Sequence, residues 1–158
     1  MPAKRRVVGV VLALGVGVAV AAGGAMAQSA GAKAVATRQA NFKQLGGAFK
    51  AINDQLKAGA PDMAVIKASA QKMKDLAAQE ATWFPAGSGP EAGVKTGAKP
   101  EIWSDAAGFA AAVKLLQGET TKLAAAAGSG DLNAVKAQVQ PTGKACSNCH
   151  DKYRVKPT

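Results

Sequence analysis

Residues 34–58 read AVATRQANFKQLGGAFKAINDQLKA, and this stretch decides the fold class. Val35, Phe42, Phe49 and Leu56 recur every seven residues, while Arg38, Leu45 and Ile52 fill the second register. Such spacing lays one apolar stripe along a helix, here roughly 40 Å long at about 1.5 Å per residue. Lys43, Lys50 and Lys57 share the same period and mark a solvated face. Gly59 to Pro61 ends the helix and opens the next, with Pro61 suited to a first turn.

The pattern repeats downstream. Asp62 to about Trp83 reads as a second helix, with Ile66, Ser69, Met73 and Leu76 on its inner side. Phe84 to Lys99 carries two prolines and four glycines, so it reads as a long loop of the kind that often covers something. Pro100 opens a third helix, where Ile102, Phe109, Leu116 and Leu123 alternate with Ala106, Val113 and Thr120. Gly128 to Gly130 ends it, and Asp131 is the natural N-cap of a fourth. There Leu132, Val139, Cys146 and Tyr153 share one register, and Val135, Thr142 and Cys149 the other. Pro141 lies outside both and is expected to kink or divide the helix. No segment alternates in the manner of a strand. The spacing therefore predicts an all-α chain, an antiparallel up-down four-helix bundle.

The N-terminus is not part of that bundle. Lys4, Arg5 and Arg6 precede an uncharged run to Ala27 that closes on small residues in an A-x-A pattern. This is the layout of a secretory signal peptide, residues 1–27, removed from a mature domain of residues 28–158. An uncleaved anchor is the alternative, because Val7 to Ala27 has no charge. The whole chain of 158 residues has 20 Lys+Arg against 10 Asp+Glu. Removing the leader leaves 131 residues and a formal charge of +7. The lysines are scattered and not interleaved with aromatics, which argues against nucleic acid and for acidic protein partners. The mature form is expected outside the cytoplasm and off the membrane.

Two Cys and one His bound the chemistry. They exclude a Ser-His-Asp set with His to spare, a three-His zinc site and a disulfide-stapled miniprotein. All three fall in Cys146-Ser147-Asn148-Cys149-His150, a C-x-x-C-H motif of covalent c-type haem attachment. Thiols at i and i+3 share one helix face and reach two vinyl groups of one haem. His150, at i+4 from Cys146, then stands beside them as an axial ligand. A thioredoxin-like motif would want a preceding strand, and a zinc site lacks a fourth ligand. A plain disulfide between Cys146 and Cys149 is the remaining alternative. Met63 and Met73 are the only other soft ligands of the mature chain, and their spacing fits core. Arg38 on an apolar stripe wants a partner, and a haem propionate would serve. Otherwise it lies near the helix start and reaches water.

Arg38-Gln39 with Phe42 one turn on, Lys99-Pro100-Glu101-Ile102-Trp103-Ser104-Asp105-Ala106-Ala107, and Cys146 to Arg154 reading C-x-x-C-H-x-x-Y-R together resemble cytochrome c′. The resemblance covers essentially all of the mature chain. It implies a periplasmic haem c protein, one haem per chain, usually a homodimer, with high-spin five-coordinate iron. It implies Cys146 and Cys149 as thioether anchors, His150 as proximal ligand and Arg154 as the basic residue beside it. Arg38 matches the basic residue near the propionates, Gln39 beside it belongs to the same cofactor-binding motif, and Phe42 matches the residue over the sixth site. Trp83 and Phe84 resemble the aromatics that wall the distal pocket. Electron transfer and nitric oxide binding are both expected of such a site. A peroxidase-like enzyme is not, since no distal His or acid is in view.

Overall fold

The computed structural model describes residues 19–155, with side chains from Ala30 onward. Most of the expected leader, residues 1–18, lies outside the described residues. Five α-helices follow in order: α1 (Ala19–Lys57), α2 (Met63–Gln79), α3 (Glu101–Ser104), α4 (Ala106–Ser129) and α5 (Leu132–Tyr153). The four long ones form the four-helix bundle that the heptads predict. No helix among the described residues is long and apolar enough to cross a membrane.

α1 runs without a break through both of its registers, so Arg38 stands well inside the helix and not near its start. Val35, Leu45 and Ile52 are buried on its inner face. α2 begins where Asp62 accepts from the backbone N–H of Ala64 and Val65, a side-chain N-cap. Its fully buried residues are Ile66, Ala70, Met73 and Ala77; the expected Leu76 packs half-buried against the same core, and Ser69 is half-buried. Small alanines let α2 approach its neighbours closely, and a search for large apolar residues passes over them. A 3-10 turn over Glu80–Trp83 extends α2.

The third expected helix is broken. Asp105 leaves helical geometry at φ −115° and ψ 57°, caps α4 through the Gly108 N–H, and so separates α3 from α4. Ala106 is exposed for that reason, whereas Phe109, Val113, Leu116, Thr120 and Leu123 are buried as their register predicts. Asp105 also accepts from Tyr153 Oη at 2.9 Å and from Lys152 Nζ at 2.6 Å, fastening α4 to the end of α5. The Lys152 hydrogen bond first, then those of Tyr153 and Gly108, hold this carboxyl below its ordinary range. A depressed carboxylate contributes stability that is present above its unfolded value and lost as pH falls through its folded one. Asp105→Asn is therefore expected to flatten the acid side of the protein's melting temperature against pH. A pH profile identical to the unaltered protein's would refute this latch.

Pro141 does not divide α5, which runs unbroken from Leu132 to Tyr153. Pro141 is exposed, so its missing N–H is lost on the solvent side. Beside it, Thr142 Oγ1 donates to the carbonyl of Gln138 at 2.9 Å.

α1 packs on α2, α2 on α4 and α4 on α5. Two apolar clusters result. The larger holds Ile52, Ile66, Met73, Leu116, Leu123 and Val135 among others. The smaller holds Ala98, Ile102, Phe109, Val113 and Tyr153. Between these clusters, residues of α1 and α5 line a common cavity, and that cavity is the site.

Candidate haem site

A cavity of about 610 Å³ opens between α1 and α5. That volume falls within the range of cofactor sites, roughly 300–1,000 Å³. α5 contributes Cys146, Cys149, His150 and Tyr153, with Arg154 just past its end; α1 faces them with Arg38, Gln39, Phe42, Lys43, Leu45, Gly46 and Phe49. Phe84, Thr96, Gly97 and Ala98 of the long loop, with Ile102, Phe109 and Leu116, close the sides. The structure thus brings all eight expected site residues, Arg38, Gln39, Phe42, Phe84, Cys146, Cys149, His150 and Arg154, to one cavity. Met73 joins them from α2, fully buried, while Met63 packs against the larger cluster instead.

The two cysteines are free thiols. Burial first, and the charge of Glu80 second, push Cys146 up to about 11 and Cys149 up to about 12. Both stay protonated at neutral pH and are poor nucleophiles in the folded chain. His150 is shifted the other way. Its surroundings desolvate it, and the neighbouring Arg154 cation adds to the effect against Asp151. That direction favours the neutral imidazole, whose lone pair is what a metal takes.

Phe42 reaches into the cavity from α1 and is held by other rings. Trp83 meets it edge-on at 5.1 Å between centroids, and Phe84 lies tilted at 6.1 Å. Phe84 in turn packs edge-on against Phe109 at 4.8 Å, and Phe109 against Tyr153 at 5.3 Å. Such edge-to-face pairs fix ring positions beyond what burial alone would do. Phe84 is thus a wall residue, while Trp83 stands behind Phe42 and borders a separate surface groove.

Arg38 is 3% exposed, and its partners are not acidic. Its guanidinium donates to the Ser88 carbonyl at 2.8 Å, Ser88 Oγ at 3.0 Å, Thr96 Oγ1 at 2.9 Å and the Trp83 carbonyl at 3.3 Å. It also lies over the Phe84 ring, 4.7 Å from the centroid. Gln39 adds a bond to the Lys95 carbonyl at 3.0 Å. The loop is fastened at its other end as well. Lys99 N donates to the Tyr153 carbonyl at 3.0 Å, and Val155 N to the Gly97 carbonyl at 2.8 Å. Arg154 runs over Gly97, where an added Cβ would lie 3.7 Å from its Cγ.

The sequence reading missed Glu80, Ser88, Thr96 and Tyr153. Glu80 had a signal, since it continues the register of Ile66 and Met73 seven residues on. Ser88 and Thr96 had none, because loop conformation decides which hydroxyls meet Arg38.

The donor set fits a c-type haem. Two thiols one turn apart, an imidazole beside them and an apolar cavity of cofactor size are what covalent attachment requires. An orphaned buried carboxyl oxygen, Glu80 Oε2, shows in addition that the cavity wall carries a polar atom the protein itself does not satisfy. These features define a helical-bundle protein with a c-type haem site. The sequence profile of the Cytochrome C' family matches residues 33–154. The cytochrome c' of Alcaligenes xylosoxydans xylosoxydans is 40% identical over 124 residues, which are 78% of this chain and 94% of the relative. A nitric oxide complex of a variant of Alcaligenes xylosoxidans cytochrome c prime superposes with a TM-score of 0.71 at 36% identity, covering 80% of this chain and 97% of that one. A cytochrome c' described as having an unusual ligand-controlled dimer dissociation gives 0.72 at 28% identity, covering 78% and 95%. The chain belongs to the cytochrome c′ family, and its cofactor is haem c.

Proposed function

We propose that this chain is an exported, periplasmic, five-coordinate haem protein whose guarded distal side binds nitric oxide. The observation that carries the reading is Phe42, a ring on α1 facing the Cys146, Cys149 and His150 wall of α5 across one cavity. A bound c-type haem supplies a one-electron couple and one open coordination position. Cys146 and Cys149 anchor it as thioethers, and His150 is the proximal ligand. Arg154, one turn beyond, presents its positive charge on that same side. Phe42, braced by Trp83 and Phe84, occupies the room a sixth ligand would need, so incoming diatomics must displace it. Nitric oxide, the strongest binder, does so best, carbon monoxide poorly and oxygen hardly at all. A related structure holds nitric oxide, which supports that choice of ligand.

Electron transfer is the second reading, favoured by the basic rim. Lys43 and Arg154 line the cavity mouth, and Lys95 stands exposed on the loop beside Gln39. Such a rim steers acidic partner proteins to the opening. Removal of residues 1–27 leaves the domain of residues 28–158, which we read as a homodimer, as the dimer described for a relative supports. Native mass spectrometry of the purified protein is expected to give two copies of residues 28–158, each with one covalent haem. The optical spectrum is expected to be high-spin in both redox states. A low-spin ferrous spectrum would overturn the five-coordinate reading and point to Met73, which the fold places on the cavity wall.

A further inference from the structure

Glu80 has no role in the site as described, yet it stands on the cavity wall at 1% exposure. Its Oε2 has no hydrogen-bond partner. An ionised carboxylate in that position needs a compensating charge, and a neutral one needs a proton.

The chain does not supply the charge. From α1 the charged cavity residues are Arg38 and Lys43; Arg38 directs its N–H groups to Trp83, Ser88 and Thr96, and Lys43 is exposed. α4 faces the cavity with Phe109 and Leu116 only. α2 offers Met73. From α5 come Cys146 and Cys149, both neutral, with His150, Tyr153 and, just past its end, Arg154. Of these, the two thiols are the groups that feel the Glu80 charge. They are also the groups that would hold the haem, and Glu80 lines the same cavity as both of them.

We propose that Glu80 is a redox-linked proton site: its carboxyl takes up a proton when the haem gains an electron and gives it back when the electron leaves. The inference rests on a haem occupying this cavity. The electron comes from a one-electron donor protein and the proton from water, and no other bond forms or breaks. The physical reason is like-charge repulsion in a poorly screened interior. Oxidised haem carries one more positive charge than reduced haem and stabilises an ionised Glu80; reduction removes that support. Burial alone already raises Glu80 to about 7, which brings the proton within reach of neutral pH. The haem charge then sets a lower value in the oxidised protein and a higher one in the reduced protein.

The test is a potentiometric titration of the holoprotein across neutral pH, with the haem spectrum recorded in each sample. Between the two values the potential is expected to fall as pH rises. The redox equilibrium should shift up to tenfold per pH unit, about 59 mV for one electron. Glu80→Gln keeps the shape and removes the titration, so its slope should flatten in that window. The reduced-minus-oxidised infrared spectrum of the unaltered protein should show a protonated carboxyl band that Glu80→Gln lacks. An equal slope in both proteins would assign the proton to a propionate and overturn the proposal. So would a reduced spectrum without that carboxyl band, a measurement that stands even if Glu80→Gln fails to fold. Absence of haem from the spectrum would instead count against the haem reading itself.

Discussion

Phe42→Ala is expected to tighten carbon monoxide binding to the ferrous protein by about a hundredfold. In the unaltered chain a distal ligand must first push the Phe42 ring out of its contacts with Trp83 and Phe84. Each aromatic pair is worth about 0.5–1.5 kcal/mol, and part of the ring's burial is lost as well. A total near 3 kcal/mol is removed from the cost of binding by the truncation, and about 1.4 kcal/mol is tenfold. Titration of the ferrous protein with carbon monoxide reads this directly. Tight binding by the unaltered protein, no stronger in Phe42→Ala, would sink the idea that this ring guards the iron.

Arg38→Met is expected to destabilise the fold by about 3–5 kcal/mol. The substitution keeps much of the side chain's volume and removes every hydrogen bond to the loop. It strands the carbonyls of Trp83 and Ser88, and each buried acceptor left without a donor costs about 1–3 kcal/mol. Ser88 Oγ and Thr96 Oγ1 lose a charged partner too. A fold of ordinary stability, about 5–15 kcal/mol, would be left marginal. The denaturant midpoint measures the loss, and limited proteolysis should locate new cuts between Phe84 and Lys99. An unchanged midpoint would show that the loop is held by something else.

The heptads carried most of the fold. Large apolar residues at a and d positions fixed four long helices and their buried faces, because burial of such side chains dominates packing energy. They failed where small residues or backbone decided the outcome. Ala70 and Ala77 form the inner face of α2, and alanine is too common on all faces to mark one. Asp105 breaks the third helix because its carboxylate meets Tyr153 and Lys152, which lie 48 and 47 residues away. Pro141 was expected to kink or divide α5 and does not divide it, since the lost N–H faces water. The site was legible in part. The C-x-x-C-H motif is local and needs only helical spacing. The partner of Arg38 is not local: a buried cation announces that it needs acceptors, but not that loop carbonyls and hydroxyls will be chosen. Glu80 was legible in register and overlooked, since a lone acid on a stripe of weak pattern reads as a helix end.

The cavity between α1 and α5 also bears on how the molecule comes into being. A ribosome delivers α1 long before α5, so one wall of the cavity exists for most of synthesis without the other. Until Cys146 and Cys149 emerge, the apolar side of α1 has only α2 and α4 to lean on, and partly made bundles with such open faces are prone to associate. The buried thiols, once folded, are too basic to react readily. A thiol held protonated by burial reacts more slowly than one in an open chain, so haem attachment is favoured while α5 is still unseated.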